Sequence, residues 1–136
     1  MADVDVTLEW EKTGLVFQGG AVGGFTMRVD GRTKVAISPV QVMLVSLAAC
    51  TAADVVDILG KMRVEFAGLT VRAQGDRAET PPRRYTAIRL TYEVQGLAAE
   101  CEDKLNRAIQ LSHEKFCSVM HSLRPDIDVQ TDVQLL

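Results

Sequence analysis

Two cysteines stand where a thiol could react. Cys50 lies near the middle of the apolar run Ser38–Arg63, and Cys117 lies where a second helical pattern, Ala98–Lys115, falters. With Cys101 they make an odd count without any C-x-x-C spacing. That is a poor structural disulfide framework, but it suits a redox pair plus a bystander in a reducing compartment. The thiolate is the reactive form, so the question is what would stabilise negative charge at Cys50. Its own helix cannot, because the helix start at Pro39 lies ~16 Å back at the usual rise and dipole effects fade within a turn. Apolar burial would raise the pKa and leave Cys50 an inert small hydrophobe, the reading that composition alone favours. Activation therefore needs a cation from elsewhere in the fold, for which Arg28, Arg32, Arg83, Arg84 and Arg124 are eligible. Arg83 and Arg84 follow Pro81-Pro82 and precede a strand, which could fix their positions; the competing reading is a solvated loop pair. Lys115 and His113 accompany Cys117 and could favour its thiolate.

Other chemistry is less well supported. His113, Cys117 and His121 recur at i, i+4 spacing and could in principle ligate a metal with Cys50 as fourth ligand. No paired-ligand motif accompanies them, and a packed or surface histidine is the simpler reading of each, so neither a metal nor a cofactor is expected. Glu114 beside His113 is not a zincin motif, since the second histidine is missing from its place. The glycine run Gly19–Gly24 has no Gly-Lys-Ser/Thr after it and leads into a strand pattern, which makes it a hairpin connection rather than a phosphate loop. Cys101 falls on the apolar stripe of the second helix and reads as core packing.

The elements that must position these residues follow from periodicity. Ser38 is a good N-cap, with Pro39 at the first helical position and Gln41 placed for a capping box. Gly60 is a stop signal, supported by Lys61 and Arg63 at the negative end of the dipole. Between them the chain is apolar on nearly every side as far as Ala53, which predicts a helix buried all round. Asp54 and Asp57 interrupt it too early for a membrane span of ~20 apolar residues. Alternation predicts strands at Val4–Trp10, Leu15–Gln18, Phe25–Val29, Val64–Gln74 (with Gly68 as a bulge), Tyr85–Val94 and Ile127–Leu135. Ala98–Lys115 reads as a helix with an apolar stripe through Cys101, Leu105, Ala108, Ile109, Ser112 and Phe116, followed by a short helical piece, Cys117–Leu123. The order βββ-α-ββ-α-β gives an α+β domain with a largely antiparallel sheet, one domain over 1–136.

Net charge −3 and a pI near 5.3 argue against nucleic acid or an anionic membrane as a main partner. The start Met1-Ala2-Asp3-Val4-Asp5 lacks the regions of a signal peptide, so a cytoplasmic location is expected. Aromatic residues are few, and one chain would struggle to cover the central helix; a second copy could.

At Ser38-Pro39, Leu44, Leu47-Ala48-Ala49-Cys50-Thr51-Ala52, Asp54-Val55-Val56, Pro81-Pro82-Arg83-Arg84-Tyr85, Tyr92-x-Val94-x-Gly96 and Ala108-Ile109-x-Leu111-Ser112-His113-Glu114-Lys115-Phe116-Cys117-Ser118-Val119, the chain resembles the OsmC/Ohr-like family, within it the YhfA-like branch of redox proteins. The resemblance implies an intertwined homodimer with central helices between two antiparallel sheets, and Cys50 and Cys117 close together. It also implies a peroxidase of the oxidative stress response. The cysteine matching Cys50 attacks an organic hydroperoxide, the one matching Cys117 resolves the sulfenic acid, and a dithiol reductant resets the pair. The chain departs from the peroxidase branches at two points. Their glutamate would fall at Val40 or Gln41, and their N-terminal arginine has no match, Lys12 being the only basic residue before Arg28. The rival reading is a non-catalytic dimeric binding module whose apolar interface pocket holds a small hydrophobic or thiol-bearing ligand.

Overall fold

The computed structural model describes residues 2–136, which fall into two compact units divided within one helix, after Met43. The N-terminal unit is a three-stranded antiparallel sheet, β1 (Val6–Trp10), β2 (Val16–Ala21) and β3 (Thr26–Asp30), with β2 in the middle. Gly19 and Gly20 prolong β2, pairing with Leu8 and Thr7 on one side and Met27 and Thr26 on the other. A side chain at Gly20 would collide with the Phe25 carbonyl, so the close return of β3 requires glycine there. The turn itself is Val22–Gly24, closed by Ala21 N–H to Phe25 O at 3.0 Å, with Gly23 at φ 71°. After β3 the buried Asp30 carboxylate gathers the loop, accepting from the N–H groups of Arg32, Lys34 and Val35 at 2.8, 3.0 and 3.0 Å.

Helix α1 (Pro39–Lys61) starts as its sequence predicts. Gln41 N–H donates to Ser38 Oγ at 3.2 Å, and Ser38 N–H donates to Gln41 Oε1 at 3.0 Å, a complete capping box. The end differs from expectation. Gly60 stays helical, and the chain turns at Arg63, whose φ is 57°. Arg63 N–H bonds to Gly60 O and Val64 N–H to Leu59 O, so Arg63 takes the left-handed position that glycine usually occupies. The expectation of burial all round is corrected for the single chain. Only the stripe Leu47, Thr51, Val55 and Leu59 is buried, while Val45 and Val56 are about half exposed. By length and composition α1 could cross a membrane; its stripe Leu47, Thr51, Val55 and Leu59 packs into the core.

The second unit is organised by β5 (Tyr85–Gln95), flanked by β4 (Gly68–Arg77) and β6 (Asp128–Leu135). Strand β4 is antiparallel to β5, and the register shift falls between Asp76 and Arg77, not at Gly68. Strand β6 is parallel to β5, so this sheet is mixed and not antiparallel as the strand order suggested. A parallel neighbour needs a crossover, and the helical segment between β5 and β6 supplies it. That segment is not one continuous helix. A 3-10 turn (Ala99–Cys101) leads into α2 (Glu102–Leu111), a π turn (Ser112–Phe116) follows, and α3 (Ser118–Ser122) ends it. The core of the unit is Leu47, Val55 and Leu59 of α1, Ile88, Leu90, Tyr92 and Val94 of β5, and Leu105, Ala108 and Ile109 of α2.

Candidate active site

The two cysteines meet in the second unit. Cys50 comes from the middle of α1 and Cys117 from the residue after the π turn; both are free thiols, and Cys50 is near enough to raise the pKa of Cys117. The π turn makes this approach, because Cys117 N–H bonds to Ser112 O five residues back at 2.8 Å. Cys117 is fully buried and caps α3, its sulfur accepting from Met120 N–H at 3.4 Å. Burial pushes its thiol up to about 11; the Met120 N–H works against that, and Cys50 and Asp54 add to it.

Among the described residues, the groups that shift the Cys117 thiol include no cation. Arg83 and Arg84 belong to the turn between β4 and β5 and bind its carbonyls: Arg83 Nε donates to Ala78 O at 3.3 Å, and Arg84 Nη1 to Tyr85 O at 3.0 Å. Arg84 also pairs with Asp126 at 3.5 Å, as does Arg124 at 2.8 Å. Lys115 is exposed. His113 turns its Nε2 to Tyr92 Oη at 2.8 Å, and burial lowers its pKa. His121 donates Nε2–H to the His113 carbonyl at 2.9 Å, so the i, i+4 histidines and Cys117 do not converge on a metal; among the described residues no three His, Cys, Asp or Glu side chains form such a group. Cys101 lies apart, half-buried at the start of α2.

A buried polar cluster that sequence reasoning missed adjoins the cysteines. Thr51 Oγ1 lies 2.8 Å from Tyr92 Oη and 3.0 Å from Ser112 Oγ, and Ser112 Oγ donates to Asp54 Oδ2 at 2.8 Å. Burial pushes the Tyr92 phenol up to about 12, so it acts here as a neutral hydroxyl. The sequence signal was a polar residue on an otherwise apolar stripe, Thr51 on α1 and Ser112 after α2. Among the described residues no buried side-chain nitrogen or oxygen lacks a partner.

The comparisons with known proteins agree with this frame. Residues 29–132 match the family described as OsmC-like protein. The chain belongs to the OsmC-like family. A relative of this OsmC-like chain, Protein YhfA of Escherichia coli K12, is 34% identical over 117 residues, covering 85% of this chain and 87% of the relative. Among solved structures, a hypothetical protein from Aquifex aeolicus VF5 superposes with TM-score 0.84 at 26% identity, over 100% of this chain and 98% of that one. The organic hydroperoxide resistance protein OhrB of Bacillus subtilis superposes with TM-score 0.67 at 15% identity, over 98% of each chain, a likeness of fold. Of the two positions where the glutamate was expected, Val40 and Gln41, neither is acidic and Gln41 is used in the capping box; Arg28 is held by Glu11 through two bonds of 3.0 Å.

Proposed function

We propose that the protein is a cytoplasmic, thiol-dependent redox protein that reduces organic hydroperoxides. The Cys50 thiolate attacks the peroxide oxygen, the O–O bond breaks, the alcohol leaves with a proton, and Cys50 becomes a sulfenic acid. Cys117 then attacks that sulfur, water leaves, and a disulfide forms; an external dithiol takes up the oxidation and restores both thiols. The observation that carries the reading is the proximity of the two free thiols, which come from α1 and the end of the π turn. A homodimer completes the fold in this reading. Val6, Leu8 and Trp10 of β1 in one unit, and Val45 and Val56 of α1 in the other, are apolar side chains between 48% and 68% exposed, which a second copy would cover. Light scattering at micromolar concentration is expected to give a dimer; a stable folded monomer would remove this part.

One observation favours a second reading, a dimeric binding module for a small hydrophobic or thiol-bearing ligand. Cys117 is pushed up by burial and, among the described residues, no cation is one of the groups that shift it, the state of an unreactive thiol. A peroxide-consumption assay with a dithiol reductant separates the two. The redox reading expects turnover of an alkyl hydroperoxide in preference to hydrogen peroxide, loss of it in Cys50→Ser, and accumulation of Cys50 sulfenic acid in Cys117→Ser. No consumption of either peroxide would leave the binding module.

A further inference from the structure

The polar cluster beside the cysteines is a single chain of hydrogen bonds, and elimination fixes the direction of each. Ser112 gives its one hydrogen to Asp54, so it must accept from Thr51. Thr51 then has no hydrogen left for Tyr92, so Tyr92 donates to Thr51. Tyr92 in turn must accept from His113, which carries its proton on Nε2. The chain therefore runs from His113 through Tyr92, Thr51 and Ser112 to the Asp54 carboxylate, joining β5, α1 and the π turn. Both cysteines are attached to it. Cys50 directly precedes Thr51 and lies one helical turn before Asp54, and the Cys117 backbone N–H is held by the Ser112 carbonyl at 2.8 Å. Thr51 and Ser112 are both fully buried, so their hydroxyls have no access to water as a substitute partner.

We propose that Thr51 and Ser112 are positioning residues for the cysteine pair: by linking the π turn to α1, their hydroxyls keep the Cys117 sulfur within bonding range of Cys50. The proposal rests on the thiol redox reading above. Its measurable quantity is the equilibrium between the dithiol and oxidised glutathione, in which the protein loses two electrons and two protons and forms one disulfide, while glutathione disulfide becomes two glutathione thiols.

The test measures that equilibrium constant by thiol trapping and mass mapping in the full chain, together with the His113 tautomer by nitrogen NMR. Thr51→Val keeps the shape and removes the hydroxyl, Ser112→Ala breaks the next bond, and Thr51→Ser restores the chain. Thr51→Val and Ser112→Ala are expected to lower the constant about tenfold, a loss typical of one buried hydrogen bond, with Thr51→Ser within about twofold of wild type. In Thr51→Val the Tyr92 hydroxyl loses its acceptor and turns to His113, moving the imidazole proton from Nε2 to Nδ1, a change that looser packing alone would not produce. Tyr92→Phe interrupts the same chain should Thr51→Val fail to fold. Wild-type constants in the variants would overturn the positioning role alone, and an Nδ1–H tautomer in wild type would overturn the direction of the chain. A wild-type protein that forms no Cys50–Cys117 disulfide would refute the redox reading and the proposal with it.

Discussion

Strands β1 and β5 are both alternating apolar sequences, yet they end in opposite conditions. All five residues of β1 are exposed, including Val6, Leu8 and Trp10, whereas Ile88, Leu90, Tyr92 and Val94 of β5 are buried. Strand β5 is the central strand of its sheet, and its unit also contains α2. Strand β1 is an edge strand of a unit without a complete helix of its own. The difference teaches that alternation marks a face meant to be covered, not where its cover comes from. In β5 the cover lies in the chain; in β1 the homodimer proposed above would supply it.

Substitution can sharpen or break that comparison. Leu90→Ala should cost about 2–5 kcal/mol in urea denaturation, the usual range for a fully buried leucine. Leu8→Ala should cost a comparable amount where a second copy covers β1, and the loss should grow on dilution. A cost of only a few tenths of a kcal/mol, independent of concentration, would instead show that β1 faces water. Tyr92→Phe should cost about 1–3 kcal/mol, because Thr51 loses the donor to its hydroxyl oxygen and His113 loses its acceptor in a largely buried site; no measurable loss would show that the cluster is not rigid.

Smaller effects belong to pH, and in the second unit they come from Cys117, Tyr92 and His113. Cys117 and Tyr92 are raised in the fold to about 11 and about 12, so the folded state keeps protons that the unfolded chain releases. Their stabilising contribution is complete below about pH 9 and is lost as pH climbs through those values, so the melting temperature should fall across that window. Cys117→Ala with Tyr92→Phe should flatten the fall. His113 is lowered by burial, so its contribution is present above about pH 6.5 and declines as the solution is acidified, when the unfolded chain takes up the proton first. Urea midpoints at neutral and mildly acid pH should converge in His113→Gln.

Much of this was legible in the residues. Ser38, Pro39 and Gln41 predicted the start of α1 and its capping box, and the alternation from Tyr85 to Val94 predicted β5. Three features were not. The direction of β6 was hidden because alternation reports which face is buried and says nothing of which way the strand runs. The end of α1 was misplaced because Arg63 adopts a backbone conformation usually left to glycine. The polar cluster was invisible as a unit, since Thr51 meets Tyr92 and Ser112 across sequence separations of 41 and 61 residues. Each member read singly is an unremarked hydroxyl or acid; only the fold makes them neighbours.

The π turn at Ser112–Phe116 also sets a phase. Each residue of an α-helix advances the side-chain direction by about 100°, and a π turn holds one residue more than the α turn it replaces. All that follows is therefore rotated by roughly that angle relative to an uninterrupted helix, and Cys117 is the first residue to inherit the rotation. Counting residues along a regular helix from α2 would aim its sulfur at a different bearing. The meeting of the two thiols is thus a matter of parity in chain length: one residue deleted between Ser112 and Phe116 would leave every side chain of the pair intact and turn one of them away.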